Sequence, residues 1–247
     1  MDRLIYTAMS GANAASQRQA VVANNLANTA TNGFRAELST YRAVPVRGEG
    51  ASTRVLAMDA TSGHLDLPGS AERTGRDLDI MAGGNAWLAV QGLDGTEAYT
   101  RRGALEVASD GTLRTLAGGF ALLSDAGAPI AVPANADISI GFDGTITAKV
   151  GKQAPTTLGR IKLATPTLED PLRRSADGLF RTASGEPVAS DPTARVQSGV
   201  LESSNVNAVV AMVEMIQAAR QFENQMRMIQ NAESNDRSAA QLLSVQG

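Results

Sequence analysis

Along the first thirty residues, apolar or small side chains recur at Ile5, Ala8, Ala12, Ala15, Val22 and Leu26, with Gln19 in the one slot left. Spacings of three and four keep such a stripe on a single helix face. They predict a helix that opens at Asp2 and stops at Asn32-Gly33, two residues that tolerate the left-handed conformation in which helices commonly end. At 1.5 Å per residue it would be a rod of roughly 45 Å. The other end of the chain repeats the pattern, with Ala208, Met212, Met215, Ala219, Phe222, Met226 and Ile229 alternating by four and three. Asn205 is its candidate N-cap. Glu223 with Arg227 and Glu233 with Arg237 form i,i+4 pairs in the favourable order, each contributing about 0.3 kcal/mol. A weaker stretch, "SAAQLLSVQG", follows.

Between these ends the period shortens. "WLAVQ", "ALEVA", "ISI", "TITAK" and "GRIKLA" read as short strands, separated by Asp94-Gly95, Asp110-Gly111, Gly118-Gly119 and Asp143-Gly144. Asp-Gly between alternating runs is a hairpin signal, because both residues accept the backbone conformations of tight turns. Asp177-Gly178 and Ser184-Gly185 continue the punctuation to about Ala194. From Ala36 to about Gly75 neither period holds, and the stretch is too long for an ordinary connection. Tyr41, Val44, Val46, Val55 and Leu56 suit an extended arm whose partner lies outside this chain. The expected architecture is α+β: an N-terminal helix over residues 1–35, an arm or linker over 36–75, an irregular all-β domain over 76–198, and a C-terminal helix over 199–247. The two helices are expected to form a coiled-coil-like pair.

The first helix is unusual in what it lacks. Between Arg18 and Arg35 there is no charge, and Asn24, Asn25 and Asn28 stand where a surface helix would carry Lys and Glu. Burying a stripe of alanines stabilises little, at about 25 cal/mol per Å². Small residues do let helices approach closely, and amides can bond across such contacts. This pattern suits a helix with other helices on several sides, which a single chain cannot supply. The seams of both helices, with Asn24, Asn25 and Asn28, are therefore candidate subunit-packing residues.

Composition narrows the function classes. The chain has 247 residues, 43% hydrophobic but only 4% aromatic, so aliphatic residues and methionine must build the core that aromatics usually dominate. A net charge of −3 opposes nucleic-acid binding. Arg101-Arg102 and Arg173-Arg174 read as isolated, solvated pairs. Without cysteine there is no disulfide, thiol nucleophile or thiolate metal site. No run approaches the ~18 apolar residues of a membrane span. The opening "MDRLIYTAMSGANAAS" lacks the features of a secretory leader, so work outside the cytoplasm would need a route without a cleaved signal.

Candidate chemistry is thin. His64, the single histidine, reads as a solvated loop residue. Asp77 and Asp79 would share a face of a strand and could serve as an acid/base pair in a carbohydrate-acting β enzyme, but Arg73 and Arg76 make a surface ion-pair cluster the simpler reading. The Asp-Gly turns lack a calcium-loop series, and "MAGGN" lacks the following helix of a phosphate cradle. The reading is of a protein with no catalytic, cofactor or metal residues and no small-molecule substrate.

Three motifs carry a resemblance. "VVANNLANTATNGFRAE" resembles the N-terminal signature of the flagellar axial proteins, the rod and hook family, on Asn24, Asn25, Leu26, Ala27 and Asn28, then Gly33, Phe34 and Arg35. "GVLESSNVN" is similar to the family's C-terminal signature at Gly199, Leu201, Glu202, Ser204, Asn205, Val206 and Asn207. "AYTRRG" is similar to an internal one at Tyr99, Thr100, Arg101 and Gly103. The resemblance implies a structural subunit of the basal-body rod, in which terminal helices of many copies pack into a tube that transmits torque and encloses the export channel. Its partners would be further copies, other rod proteins, the flagellar type III export apparatus and the surrounding basal-body rings. Its place would be the periplasmic rod, reached without a cleaved signal peptide.

Overall fold

A computed structural model describes residues 2–45 and 55–244; Val46 and the rest of 46–54, and the last three residues of the weak C-terminal stretch, lie outside the described residues. The elements are α1 (Asp2–Ala27), β1 (Glu37–Pro45), β2 (Val55–His64), β3 (Ala71–Arg73), β4 (Ile80–Ala82), β5 (Trp87–Gln91), β6 (Glu97–Thr100), β7 (Leu105–Val107), β8 (Leu113–Thr115) and β9 (Ala121–Leu122). They continue as β10 (Ala136–Ile140), β11 (Thr145–Val150), β12 (Thr156–Arg160), β13 (Leu163–Ala164), β14 (Leu172–Arg174), β15 (Phe180–Thr182), β16 (Val196–Ser198), β17 (Val200–Glu202) and α2 (Ala208–Ser244). Two terminal helices with a β-rich centre make the chain α+β.

The chain divides into two compact units. One contains α1, β1, β2 up to Gly63, and α2. Here α1 and α2 pack against each other. Gly11 lies so close to Gln225 that an added Cβ would sit 2.9 Å from its Cδ. β1 and β2 pair with one another, and they reach α1 within the same unit: Tyr41 Oη donates to the Ala14 carbonyl at 3.0 Å, and Ser10 Oγ donates to the Ala57 carbonyl at 3.0 Å. The expected arm thus finds its first partner inside its own chain. Alternation places Glu37, Ser39 and Tyr41 half-buried while Leu38, Thr40 and Arg42 face outward.

Both helix boundaries differ from expectation, for local reasons. α1 ends at Ala27, before the expected Asn32-Gly33. Asn28 accepts a hydrogen bond from the Thr31 hydroxyl and another, through its carbonyl, from the Thr31 amide, so side-chain bonding draws the backbone into turns. Gly33 then takes φ +69°. At the other end Asn207, not Asn205, caps α2: its Oδ1 accepts from the amides of Val209 and Val210 at 3.0 and 3.1 Å.

The second unit spans Asn28–Ala36 and His64–Val206. Its largest sheet has the order β14-β15-β6-β5-β9-β8-β7, with β13 also on β5; β10-β11-β12 form a three-stranded sheet, and β16 pairs with β4 and β17 with β3. β5 is buried on both faces, as its unbroken apolar run requires. Leu88 and Val90 point into a core with Ile80, Leu105, Leu113, Ile146 and Leu163, whereas Trp87 and Ala89 join Tyr99, Leu172 and Phe180. Every short strand quoted from the sequence coincides with, or overlaps, a strand of this unit.

Candidate functional site

Residues 28–35 and 199–206 of the two terminal motifs meet the internal motif inside the second unit. The chain after α1 bends at Gly33, whose amide donates to the Glu202 carbonyl at 2.7 Å. A Cβ there would stand 2.3 Å from the Arg101 carbonyl, so glycine is required by space as well as by its positive φ. Asn205 closes the arrangement. Its Oδ1 accepts from the Ala36 amide at 2.7 Å, and its Nδ2 donates to the carbonyls of Leu65 and Leu67 at 2.8 and 2.9 Å. Gly103, from the internal motif, lies against β4, and a Cβ on it would come within 1.6 Å of the Ile80 carbonyl oxygen.

At the centre is a buried charge cluster. Arg35 Nη1 donates to Glu202 Oε1, and both side chains are wholly inaccessible. Arg101 Nη1 reaches Glu202 Oε2 at 3.4 Å, and the Gly69 amide donates to Oε1 at 3.0 Å. Arg101 also donates to the carbonyls of Ala82 and Gly84. Burial pulls the Arg101 guanidinium down to about 10, against the opposing pull of the Glu202 carboxylate. Both Arg35 and Arg101 lie over the Trp87 ring, 5.9 and 5.3 Å from its centroid, while Arg174 lies over Phe34 at 4.3 Å and donates to the Arg35 carbonyl at 2.7 Å. An ion pair without water is expensive to form but far more expensive to leave half-made. The cluster is a structural clasp between chain segments far apart in sequence.

The helix residues have different surroundings. On α1, Ala8, Ala12, Ala15 and Val22 are buried, and Ile5, Gln19 and Leu26 half-buried. Asn25 uses its amide on the backbone of Glu37, accepting from its N–H at 2.8 Å and donating to its carbonyl at 2.9 Å; Asn24 Nδ2 donates to the Glu37 carboxylate at 3.0 Å. These asparagines hold β1, where the sequence suggested bridges between chains. On α2, Met215, Ala219, Phe222, Ile229 and Ala208 are half-buried, but Met212 and Met226 are exposed. The buried positions are Ala211, Ala218 and Ala232. With Met215, Phe222, Gln225 and Ile229 they form the stripe that shares this unit with α1.

Asp77 and Asp79 do not form a dyad. They lie in and beside a turn, Asp77 exposed and Asp79 buried with Arg76 Nη1 on its Oδ1 at 3.1 Å. His64 is half-buried, not a free loop side chain: its ring stands edge-on to Trp87 and Phe180, with centroids 6.0 and 4.8 Å away. Among the described residues no helix is long and apolar enough to cross a membrane, and no group of three or more His, Cys, Asp or Glu could hold a metal.

Comparison with known proteins gives the setting for this clasp. The profile described as "Flagella basal body rod protein" matches residues 5–35, "Flagellar hook protein FlgE/F/G D1 domain" matches 81–148, and "Flagellar basal body rod FlgEFG protein C-terminal" matches 197–242. The flagellar basal-body rod protein FlgF of Escherichia coli (strain K12) is 46% identical over 254 aligned positions, which cover 99% of this chain and 100% of the relative. The chain belongs to the flagellar basal-body rod protein family. FlgF of Salmonella typhimurium is 44% identical with the same coverage, and the basal-body rod protein FlgG of Agrobacterium fabrum is 31% identical over 94% of this chain and 95% of its own length.

Within this rod-family chain, sequence reading missed Arg101, Arg174, Trp87 and Gly69 as parts of the clasp. Arg101 and Arg174 looked like surface pairs because each follows or precedes another arginine. The available signal was the apolar and glycine flank of Arg101, Tyr99-Thr100 on one side and Gly103 on the other.

Proposed function

We propose that this protein is a structural subunit of the flagellar basal-body rod, of the FlgF type and hence of its proximal part. The observation that carries the reading is a second apolar face on α2. Val209, Met212, Val213 and Ile216 are all about half exposed, and at 100° per residue they lie opposite the stripe of Ala211, Met215, Ala218 and Phe222. α1 occupies one side of α2, and the other needs a partner of similar chemistry, for which the exposed Leu4, Tyr6 and Met9 of a further copy are suited. On this reading α1 and α2 make a coiled-coil-like pair, and the pairs of successive subunits pack into a tube. Other rod proteins continue it, the chain arrives through the type III export apparatus, and the finished rod crosses the periplasm inside the basal-body rings. Identities of 46% and 44% to the FlgF proteins of Escherichia coli and Salmonella typhimurium, against 31% to the FlgG of Agrobacterium fabrum, support the proximal over the distal assignment. Its role is mechanical, not catalytic.

Ile216→Asp tests this. The purified variant should keep its circular dichroism and remain monomeric, yet be absent from isolated basal bodies, because a carboxylate would enter an apolar helix contact in every subunit. Gln221→Glu, an exposed polar position away from that face, should still be incorporated. Normal rods containing Ile216→Asp would refute the packing face.

A further inference from the structure

The clasp holds a titratable group that the structural role leaves unused. His64 stands edge-on to Trp87 and Phe180, and those two rings already carry guanidinium groups: Arg35 and Arg101 over Trp87, Arg174 over Phe180 at 5.2 Å. Of the two carboxylates in the cluster, Glu202 is fully engaged by Arg35, Arg101 and the Gly69 amide. Asp66 is partly open to solvent, sits 3.7 Å from Arg35 Nε, and is the carboxylate that favours a charge on the ring. An imidazolium here would be a fourth cation beside two aromatic faces that are already occupied.

The segment that carries His64 is lightly held. Asp66 and Leu67 are exposed, and the backbone is fixed by the Leu65 amide on the Ala36 carbonyl at 2.8 Å and by the two Asn205 bonds. The His64 ring is the side chain of this segment that seats against the aromatic core. We propose that His64 is a proton-operated latch: as a neutral ring it holds residues 64–67 on the clasp, and as an imidazolium it lets them go. Burial first, then Arg174 and Arg35, hold the ring below its ordinary value of 6.5, with Asp66 pulling the other way. The sign follows from linkage. The folded site binds the proton less readily than the free segment, so the hold is complete above pH 6.5 and is lost as pH falls through that value toward the lower folded one. The latch does not depend on assembly into a rod and is read on the full-length monomer.

His64 is the only histidine, so its imidazole resonance can be followed alone by NMR while amide exchange reports on Leu65. Wild type should titrate below 6.5, and the Leu65 protection factor should fall as pH drops through 6.5, by about tenfold for each pH unit that separates the free and folded midpoints. His64→Phe keeps the edge-on contact without a proton site and should hold Leu65 protection constant. Asp66→Asn removes the one supporting carboxylate and should move the imidazole midpoint further down. An imidazole titrating at or above 6.5, an unmoved midpoint in Asp66→Asn, or the same loss of protection in His64→Phe as in wild type would each overturn the latch.

Discussion

Arg35 and Glu202 are 167 residues apart in sequence and form an ion pair from which water is excluded. One belongs to the motif that follows α1 and the other to the motif that precedes α2, so a single contact joins both ends of the second unit. Removing Glu202 leaves two buried guanidinium groups without their shared carboxylate. Glu202→Gln should destabilise this unit by about 3–5 kcal/mol. Trp87, the only tryptophan and in contact with Arg35 and Arg101, reports urea unfolding of this region directly by its fluorescence. The double variant Arg35→Met, Glu202→Leu should lose less than the sum of its singles; strict additivity would show that the two charges do not interact.

Gly103→Ala tests the close approach of the internal motif to β4. With its Cβ at 1.6 Å from the Ile80 carbonyl oxygen, backbone must move, and the loss should reach or exceed the ~1–3 kcal/mol usual for overpacking. Gly63→Ala meets nothing within 4 Å and should stay within about 0.5 kcal/mol of wild type. Equal midpoints for the two variants in thermal unfolding would contradict the geometry.

Asn25→Ala should loosen β1 from α1. It removes an acceptor for the Glu37 amide and a donor for its carbonyl, at a cost of about 1–3 kcal/mol for the groups left without partners. Asn25→Asp restores the acceptor only, placing a carboxylate against the Glu37 carbonyl, and should rescue little. The readout is the exchange rate of the Glu37 amide, which should rise in both.

Acid stability should be set by the turns of the β-rich unit. Asp94, Asp143, Asp170 and Asp191 accept hydrogen bonds from the hydroxyls of Thr96, Thr145, Ser184 and Thr193, and these hold each carboxyl below its ordinary 3.8; Asp191, which also takes the Thr165 hydroxyl, is drawn down to about 2. Groups depressed in the folded state stabilise it above their unfolded value, and that contribution disappears as pH falls from 3.8 toward 2. The unfolding midpoint should therefore drop in this window, and Asp191→Asn should shallow the drop. The histidine effect differs in its onset, which comes first as pH falls through 6.5.

The β-rich centre was readable because short alternating runs and Asp-Gly turns are local signals; its long-range pairings, β3 with β17, β4 with β16, β5 with β13 and β6 with β15, leave no such mark. The stripe on α1 was readable for the same reason: Ala8, Ala12, Ala15 and Val22 repeat at helical spacing and are buried. The stripe read on α2 from its large apolar residues does not coincide with the face turned to α1. Against an alanine surface the close partners are Ala211, Ala218 and Ala232, leaving Met212 and Met226 outside. Asn205 was placed as a helix cap because its residue type fits that role, but its amide satisfies the backbone of Ala36, Leu65 and Leu67. Nothing local in the sequence marks such long-range use, and the same holds for Arg101 and His64, whose burial is decided by segments distant in the chain.

The separation of Arg35 from Glu202 also has a temporal side. During synthesis the second unit receives Arg35 among its first residues and Glu202 almost at its last, so the guanidinium waits for its carboxylate until most of the polypeptide has been made. Closing so long a loop before any reward from the pair makes for slow, high-contact-order folding. A unit arranged this way cannot close its clasp until the final fifth of the chain arrives.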